Sequence, residues 1–491
     1  MSVESPVRKL TVKDYKSDLH NDWCPGCVSP DTLIVTPSGK RPITEIAVGD
    51  EVLSHDGEYH RVAEVMSHWH PAPLHRLTID GLGSVLLTED HPVYVNRPSG
   101  SPPCAFEWVR ADQLRVGDEI AYAWKTPRAL SKKRSNVRLA VLPRAGQREP
   151  DEDPESGVIS GRMYLLPKVL ANDVVAYEGM VHNLEVESAH SYVTDAATLH
   201  NCGDFGILTG IQMALAQMNL DPDRVAVISG IGCSGKTPHY IKAYGFHTLH
   251  GRVLPVATGA RLANSGVTVI ALGGDGDGYG IGAGYFVNSG RRNLDLAYLV
   301  HNNNVYGLTK GQASPTLGKG KKTKSMPEQA IQDGINPIAM AVAAGYTFIA
   351  RGYALEPKHL SGIIVKAIQH KGAALVDVLQ TCPTYNDLYT KEWYEGADLP
   401  EKKSRLYKLE DKGFDPVVHD VTDEQEIVAK KAAAVVKSYE KEPIPIGVYY
   451  QAELPTYEDA LRQRIPSLAD KALIDIDTFH RDVTPLLEAM R

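Results

Sequence analysis

Cysteine is scarce in this sequence, with six residues among 491. That number is too small for a disulfide framework and is more typical of reactive or metal-bound thiols in a reducing cytoplasm. No stretch reaches the roughly 18 consecutive apolar residues that a transmembrane helix needs. The N-terminal residues MSVESPVRKLTVKDYKSDLHNDW also lack the apolar core of a signal peptide. The sequence therefore predicts a cytoplasmic protein with no membrane segment.

An excess of positive charge is absent as well. The chain has 52 Lys and Arg residues against 60 Asp and Glu, which gives a net charge of −8. This balance argues against non-specific binding to nucleic acid and against docking on anionic lipid. With 43% hydrophobic and 23% charged residues, the composition is that of a globular protein. Its length is sufficient for two or three domains.

Two sequence patterns are interleaved along the chain. After a polar segment, 1–26, short alternating runs such as TLIVT, EVLS, HRVAEV and LHRLTI predict β-strands. This pattern occupies 27–201, in which the Pro- and acid-rich stretch 143–157 predicts a solvated loop. From 202 to 395, apolar runs (VAVIS, VTVIAL, LAYLV, AALVDVL) alternate with helical stretches, as in a parallel α/β sheet. Residues 396–491 include the charged helical run KKAAAVVKSY, and we expect this extension to pack on the α/β domain or on a partner.

The boundaries of the β-rich insert carry distinctive motifs. It opens with Cys27 in CVSPDT, contains Thr88-Glu89-Asp90-His91, and closes with VHNLEVESAHSYVTDAATLHN before Cys202. In this order the motifs resemble the Hint-fold, self-splicing intein family. The alternative interpretation is a β-rich regulatory domain with chance matches. The insert is too short for a homing endonuclease, so the resemblance implies a mini-intein.

The chemistry of splicing requires these residue types. A thiol at Cys27 can attack the Gly26 carbonyl and convert an amide into a thioester. Thr88 and His91 at a strand-end turn would support the oxyanion and donate a proton. Cys202 would then accept the acyl chain. The resemblance implies that the C-terminal junction is cut by cyclisation of an asparagine with two histidines as proton-transfer groups, namely Asn201, His190 and His200.

One position departs from the intein pattern. The block HNLEV usually has Asp where this chain has Asn183. Because an amide cannot act as a base, activation of Cys202 would then depend more on His190.

Removal of the insert would restore a cysteine motif. It joins Cys24-Pro25-Gly26 to Cys202-Gly203, which gives WCPGCGDFGIL, and Cys233 and Cys382 lie further along. Four thiolates suit either a tetrahedral zinc ion or a [4Fe–4S] cluster, and the spacing alone does not separate the two.

A second motif follows the run VTVIAL. The glycine-rich turn Gly273-Gly274-Asp275-Gly276-Asp277 after a strand would let backbone N–H groups approach a diphosphate. The carboxylate of Asp275, the amide oxygen of Asn303 and the carbonyl of Val305 can together hold Mg²⁺. This pattern resembles the thiamine-diphosphate motif, GDG followed by paired Asn.

Taken together, WCPGCG, GIGCS, HTLHGRVLPVATG, GDGD, YGLTKGQASPT and QTCPTYN resemble the β subunit of 2-oxoacid:ferredoxin oxidoreductases. The resemblance implies a thiamine-diphosphate-binding α/β fold. It implies oxidative decarboxylation of a 2-oxoacid such as pyruvate or 2-oxoglutarate to an acyl-coenzyme A, with electrons passed to ferredoxin. An α subunit, or a fused γα subunit, would supply the pyrimidine domain. The implied [4Fe–4S] ligands are Cys24, Cys202, Cys233 and Cys382, and the implied cofactor-binding residues are Ile231, Gly232, Cys233, Ser234, His250, Gly276, Asp277, Gly307, Leu308 and Thr309.

Several other interpretations remain at the level of sequence. Residues 230–237, GIGCSGKT, fit the P-loop pattern of an NTPase, although Pro238 follows at once where a long helix is needed. Residues 278–283 fit the GxGxxA pattern of a dinucleotide fold. One subunit of a non-redox thiamine-diphosphate enzyme is a further alternative. Lys236 and Lys310 flank the cofactor motifs and are candidates for pairing with a substrate carboxylate. The lysines of 319–324 form either a solvated surface or a patch that steers ferredoxin or coenzyme A.

Overall fold

The structure is a computed structural model that describes residues 8–17, 27–97, 106–124, 138–142, 151–153, 158–160, 162–186, 191–200, 202–323, 325–396, 398–401, 403–468, 471–476 and 482–490. Within these ranges, no helix is long and apolar enough to cross a membrane.

The part of the chain between residues 28 and 200 is built from short strands that pair mostly antiparallel. Its core consists of the inward-facing residues of several small sheets, among them Val28, Val93 and Leu199. The predicted all-β insert is therefore confirmed as a β structure. Its strands are β1 (Leu33–Thr36), β2 (Gly39–Pro42), β3 (Glu51–Leu53), β4 (Tyr59–His70), β5 (Leu74–Ile79), β6 (Gly83–Leu87), β7 (Pro92–Asn96), β8 (Phe106–Arg110), β9 (Glu119–Ile120), β10 (Tyr122–Trp124), β11 (Arg138–Leu142), β12 (Asp151–Asp153), β13 (Val158–Ser160), β14 (Arg162–Leu166), β15 (Val169–Val175), β16 (Gly179–Val186), β17 (Ser191–Val193) and β18 (Thr198–His200).

One expectation for the insert is wrong in part. The stretch 143–157 was predicted to be a solvated loop, but it contains β12, which pairs antiparallel with β13. The β-branched Val158 and Ile159 form the partner strand, and β-branched residues favour extended backbone. Such a pairing overrides the loop preference of the acidic residues. The rest of that stretch lies outside the described residues.

The remainder of the chain forms an α/β domain around a twisted sheet. Among the described residues its eight strands have the order β20-β19-β21-β22-β26-β25-β28-β27. The strands are β19 (Val225–Ser229), β20 (Tyr244–His247), β21 (Thr268–Gly274), β22 (Leu296–Asn302), β25 (Phe348–Tyr353), β26 (Ala373–Leu379), β27 (Leu406–Lys408) and β28 (Ile444–Gln451), with a separate two-stranded ribbon of β23 (Val305–Tyr306) and β24 (Gln312–Ala313).

Pairing is parallel from β20 through to β25. The central strands β22 and β26 are buried along their whole length, as expected for strands covered on both faces. The helices that cover the sheet and its edges are α1 (Gly203–Met218), α2 (Thr237–Tyr240), α3 (Val253–Ala263), α4 (Ala283–Gly290), α5 (Pro337–Ala344), α6 (Pro357–Gln369), α7 (Lys391–Tyr394), α8 (Glu424–Ser438), α9 (Tyr457–Arg464) and α10 (Thr484–Ala489). The parallel α/β fold class is confirmed.

The C-terminal extension continues the sheet. Strand β28 pairs antiparallel with β25, and β27 pairs parallel with β28. Helix α8 corresponds to the predicted charged helix, and its N-terminus is capped by the Asp423 side chain, which accepts a hydrogen bond from the Gln425 N–H. The extension therefore packs on the α/β domain.

The segment that precedes the insert belongs to the same core as the segment that follows it. Tyr15 is fully buried, and its hydroxyl donates to the Leu215 carbonyl of α1 at 3.0 Å. Its carbonyl accepts from the Lys242 N–H at 2.8 Å. The Leu10 N–H donates to the Asn219 side chain at 2.6 Å. Residues 8–17 are thus part of the folded α/β domain, although the whole insert separates them from it in sequence.

Candidate functional site

A cleft lies at the carboxyl ends of β19, β21 and β22, the edge where open parallel sheets bind ligands. Gly274, His301 and Tyr306 line it. Two predicted substrate residues, Lys236 and Lys310, are absent from its lining. All the predicted cofactor-binding and magnesium-binding residues are present, namely Ile231, Gly232, Cys233, Ser234, His250, Asp275, Gly276, Asp277, Asn303, Val305, Gly307, Leu308 and Thr309.

Asp275 directly follows strand β21 and is almost fully buried. One carboxylate oxygen accepts from the Gly276 N–H at 2.9 Å. The other accepts from the Asn304 N–H and from the hydroxyls of Ser314 and Thr316, at 2.5 to 2.9 Å. Burial raises the pKa of Asp275 to about 6, and the four hydrogen bonds oppose that rise. The carboxylate is therefore held in one orientation.

Asn303 and Val305 bring two further oxygens to the same edge. The Asn303 side-chain oxygen accepts from the Val305 N–H at 3.1 Å, and the Asn386 side chain donates to the Asn303 carbonyl at 2.8 Å. A carboxylate, an amide oxygen and a carbonyl are hard ligands of the kind that Mg²⁺ prefers, with phosphate oxygens completing its shell. The donor set therefore fits a magnesium ion.

Close contacts in the cleft require glycine at several positions. A Cβ on Gly276 would lie 2.2 Å from the Tyr306 ring, and a Cβ on Gly307 would lie 2.9 Å from the Cys233 sulfur. A Cβ on Gly230 would overlap the Asp277 carboxylate. The glycine-rich sequence therefore lets side chains and ligand approach the backbone closely.

Two residues that line this cleft have a buried polar atom without a hydrogen bond among the described residues. Asp277 Oδ1 accepts from the N–H groups of Ile231 and Gly251, at 3.1 and 2.7 Å, whereas its Oδ2 is buried without a hydrogen bond among the described residues. The Ser234 hydroxyl is likewise buried without a hydrogen bond among the described residues. Such atoms cost free energy unless a ligand satisfies them, and so the cleft fits a polar cofactor.

Three of the predicted cluster ligands come together beside this cleft. Burial, and then the neighbouring Asp204, Cys382 and Cys233, raise the pKa of the Cys202 thiol well above its usual value. The Gln380 amide donates to the Cys202 sulfur at 3.6 Å. Cys24, the fourth predicted ligand, lies outside the described residues.

These thiols are not arranged around a single ion. In the described part of the chain, no three His, Cys, Asp or Glu side chains are grouped closely enough to hold one metal ion. A [4Fe–4S] cluster does not require such a group, because its four thiolates ligate the cluster rather than one shared metal. Of the three thiols, those of Cys202 and Cys382 are buried and that of Cys233 is half-buried.

The P-loop interpretation is not supported. The segment after Gly232 forms a 3-10 turn, Cys233–Lys236, and the following helix α2 has only four residues. A P-loop needs a long helix at this point, with its N-terminus directed at the phosphates.

Within the insert, the first thiol lies among the predicted splicing residues. The Cys27 N–H donates to the Thr88 hydroxyl at 2.8 Å, and the Thr88 N–H donates to the Cys27 carbonyl at 2.9 Å. His91 is fully buried, and neither ring nitrogen has a hydrogen-bond partner among the described residues. The Thr88 side chain therefore contacts the N–H of Cys27, the residue at the proposed first splice junction. The buried His91 follows in the same turn, where its N–H donates to the Thr88 carbonyl at 3.1 Å.

Asn183, the unusual position, is buried. Its side-chain oxygen accepts from the Tyr192 hydroxyl at 2.8 Å and from the Leu184 N–H at 2.9 Å. The nearby Cys27 thiol contributes, after burial, to a raised pKa of Tyr192. The predicted C-terminal splicing residues are described only in part. His190 and Asn201 lie outside the described residues, and only the backbone of His200, in β18, is described.

His91 provides a test through pH. Burial lowers its pKa to about 4, and the adjacent Cys27 backbone and Asp90 offset this only in part. Because protonation is easier in the unfolded chain, stability present above pH 6.5 is lost as pH falls toward 4. We expect the free energy of unfolding of a splicing-inactive full chain to fall by roughly 2 kcal/mol from pH 7 to pH 5 on this account. Denaturant titrations should show this loss of unfolding free energy in the parent chain and not in His91→Phe. Equal losses in the two chains would contradict the lowered pKa of His91.

The sequence did not predict four residues that shape the cleft. Ser314 and Thr316 orient Asp275, Tyr306 covers Gly276, and His301 lines the wall. Tyr306, Ser314 and Thr316 belong to the motif YGLTKGQASPT, and His301 directly precedes the paired asparagines, so their place in or beside these motifs was the available signal.

Comparison with known families agrees with this geometry. Residues 230–378 match the family described as thiamine pyrophosphate enzyme, C-terminal TPP binding domain. Residues 382–464 match the family described as the C-terminal part of the pyruvate ferredoxin oxidoreductase beta subunit. The second match includes the whole of β27, β28 and α8, so the extension as far as residue 464 is a recognised part of such proteins.

Individual proteins are also similar. A solved intein, gp41-1, is 18% identical with a TM-score of 0.23, and the match covers 36% of this chain and 100% of that chain. The 2-oxoglutarate:ferredoxin oxidoreductase from Magnetococcus marinus, solved with 2-oxoglutarate, coenzyme A and succinyl-CoA bound, is 32% identical with a TM-score of 0.50 over 59% of this chain and 90% of that chain. The β subunit of 2-oxoacid:ferredoxin oxidoreductase 1 from Aeropyrum pernix is 56% identical over 54% of this chain and 81% of its own length. The chain belongs to the family of 2-oxoacid:ferredoxin oxidoreductase β subunits.

Proposed function

We propose that the mature chain is the thiamine-diphosphate-binding subunit of an enzyme that oxidatively decarboxylates a 2-oxoacid to an acyl-coenzyme A and passes electrons to ferredoxin. The observation that carries this proposal is the single cleft that contains every predicted cofactor and magnesium residue. The Magnetococcus relative, with 2-oxoglutarate and coenzyme A bound, supports 2-oxoglutarate as one candidate substrate beside pyruvate.

In this proposal the residues of the cleft bind and orient the cofactor. Asp275, Asn303 and the Val305 carbonyl would hold Mg²⁺ and, through it, the diphosphate. Asp277, fixed by the N–H groups of Ile231 and Gly251, would direct its second oxygen at the ligand. Thiamine diphosphate, when bound, supplies the carbanion chemistry of decarboxylation.

No carboxylate that would activate the aminopyrimidine was identified in this sequence. We therefore propose that it comes from an α or fused γα subunit, and that the β chain is inactive alone. Cys24, Cys202, Cys233 and Cys382 would bind the [4Fe–4S] cluster. A non-redox thiamine enzyme is the alternative, and visible iron–sulfur absorbance of the purified protein distinguishes the two.

We further propose that residues 27–201 are a self-splicing mini-intein with a Hint fold. The hydrogen bonds between Cys27 and Thr88 support this assignment, because the catalytic hydroxyl must reach the scissile peptide. Cys202 would accept the acyl chain, and Asn201, His190 and His200 would complete cleavage. Removal of the insert would leave a native Gly26–Cys202 peptide bond.

The cofactor site is tested by substitution of Asp275. Asp275→Ala and Asp275→Asn are expected to weaken binding of thiamine diphosphate with Mg²⁺ at least about 100-fold, since each removes the charged ligand. The asparagine variant keeps the side-chain volume and controls for damage to packing. Isothermal titration of the spliced chain, bound to its partner, measures affinity, and the visible spectrum should show an unchanged cluster. Normal affinity in both variants would place the cofactor elsewhere.

A further inference from the structure

Two buried side chains lie between the predicted cluster ligands and the cofactor cleft. Asp204 is in the first turn of α1, two residues after Cys202, and His301 is near the end of β22. The exposed fractions of Asp204 and His301 are 0% and 1%. His301 Nδ1 donates to Asp204 Oδ1 at 2.6 Å, and the Cys202 thiol donates to Asp204 Oδ2 at 3.3 Å. The three side chains therefore form a continuous hydrogen-bonded chain.

One end of this chain is open toward the cleft. His301 lines the cleft together with Cys233, and its Nε2 is buried with no hydrogen-bond partner among the described residues. A buried polar atom in that state is unfavourable unless a ligand supplies the missing hydrogen bond. The carboxylate of Asp204 fixes the ring through the opposite nitrogen, in the way that a buried acid orients an imidazole elsewhere. Nε2 is thus held in place for a group that enters the cleft.

We propose that His301 contacts the bound thiamine cofactor through Nε2, and that Asp204 is the positioning residue that links this contact to the cluster ligand Cys202. The proposal deepens the proposed function and rests on it. His301 and Asp204 belong to different elements, 97 positions apart in sequence, and the fold brings both to the boundary between the two predicted cofactors.

The link has an electrostatic consequence at the sulfur. When Cys202 ligates iron as a thiolate, it has no proton to donate, and the Asp204 carboxylate then lies beside a sulfur that becomes more negative when the cluster is reduced. A neighbouring negative charge disfavours the reduced cluster and lowers its reduction potential. Removal of that charge should therefore raise the potential, an effect that a purely structural hydrogen bond would not produce.

The test uses the spliced chain bound to its partner subunit. His301→Phe should raise the dissociation constant of thiamine diphosphate, measured with Mg²⁺ by isothermal titration, about tenfold, because one hydrogen bond is lost. His301→Gln, whose amide can replace Nε2, should stay within about threefold of the parent. Asp204→Asn should weaken binding less than His301→Phe and raise the midpoint potential of the cluster in a redox titration followed by electron paramagnetic resonance.

A second buried histidine is the matched control. His370 Nε2 lies 2.7 Å from the Thr347 hydroxyl, and its Nδ1 lies 3.0 Å from the Glu453 carboxylate. His370 does not line the cleft. His370→Phe should leave the affinity for the cofactor unchanged. Normal affinity in His301→Phe, or an equal loss in His370→Phe, would overturn the proposal. An unchanged potential in Asp204→Asn would overturn the link to Cys202.

Failure of this inference is separable from failure of the proposed function. If Asp275→Ala loses the cofactor and His301→Phe does not, only the role of His301 is wrong. If Asp275→Ala also binds normally, the cofactor site itself is wrong.

Discussion

The full-length chain is expected to be found as two products, residues 1–26 joined to 202–491 and the excised residues 27–201. The Thr88 hydroxyl accepts from the Cys27 N–H, a group of the peptide bond that the proposed reaction would break first. Cys27→Ala together with Asn201→Ala should trap the intact precursor, since neither junction can then be cleaved. Denaturing electrophoresis and intact mass measure the outcome.

Cys104 provides a matched control for this experiment. It is a cysteine of the insert that belongs to none of the splicing motifs. Cys104→Ala should splice like the parent, which would show that loss of a thiol as such does not stop the reaction. A parent chain that stays intact in reducing buffer would refute the splicing proposal.

Cluster assembly is expected to depend on splicing. Cys202, Cys233 and Cys382 already lie near one another in the unspliced chain, but the insert separates Cys24 from Cys202 in sequence. Ligation creates Cys-Pro-Gly-Cys, whose short turn allows two sulfurs to face one cluster. After reconstitution with iron and sulfide, the spliced protein should hold a stable [4Fe–4S] cluster, and the splicing-inactive double variant should bind little iron or lose it rapidly to a chelator.

Metal ions bound at the first splice junction are expected to inhibit splicing. Zn²⁺ bound by Cys24 and Cys27 would remove the free nucleophile, because a metal-bound thiolate is no longer available to attack. Splicing should therefore slow with added Zn²⁺ and recover with a chelator. Equal cluster occupancy and equal electron transfer in precursor and spliced protein would contradict the dependence.

The fold was predictable wherever a local pattern determines it. The runs LHRLTI, VAVIS and AALVDVL are strands at the predicted positions, since alternation or continuous apolar character is readable within a few residues. The hairpin of β12 and β13 was not predicted, because its acidic strand is stabilised by a partner rather than by its own composition.

The candidate site was also predictable only where local sequence motifs specify its residues. The GDGD and paired-asparagine motifs predicted residues that the fold brings into one cleft, because each motif is local in sequence and directly follows a strand of the parallel sheet. The hydrogen bond between Asp204 and His301 was not predicted, since it joins α1 to β22 and depends on how the helix packs against the sheet. Likewise, only the fold shows that Lys236 and Lys310 do not line the cleft.

The docking of residues 8–17 on the α/β domain has a consequence for by-products of the reaction. Tyr15 and its neighbours are held there by burial and hydrogen bonds, independently of the peptide bond that splicing forms. If the chain were cut at both junctions without ligation, the short N-terminal fragment would remain associated with the large one, as in fragment complementation. A nicked protein would then elute from a size-exclusion column like the ligated one, and only denaturation would reveal the break.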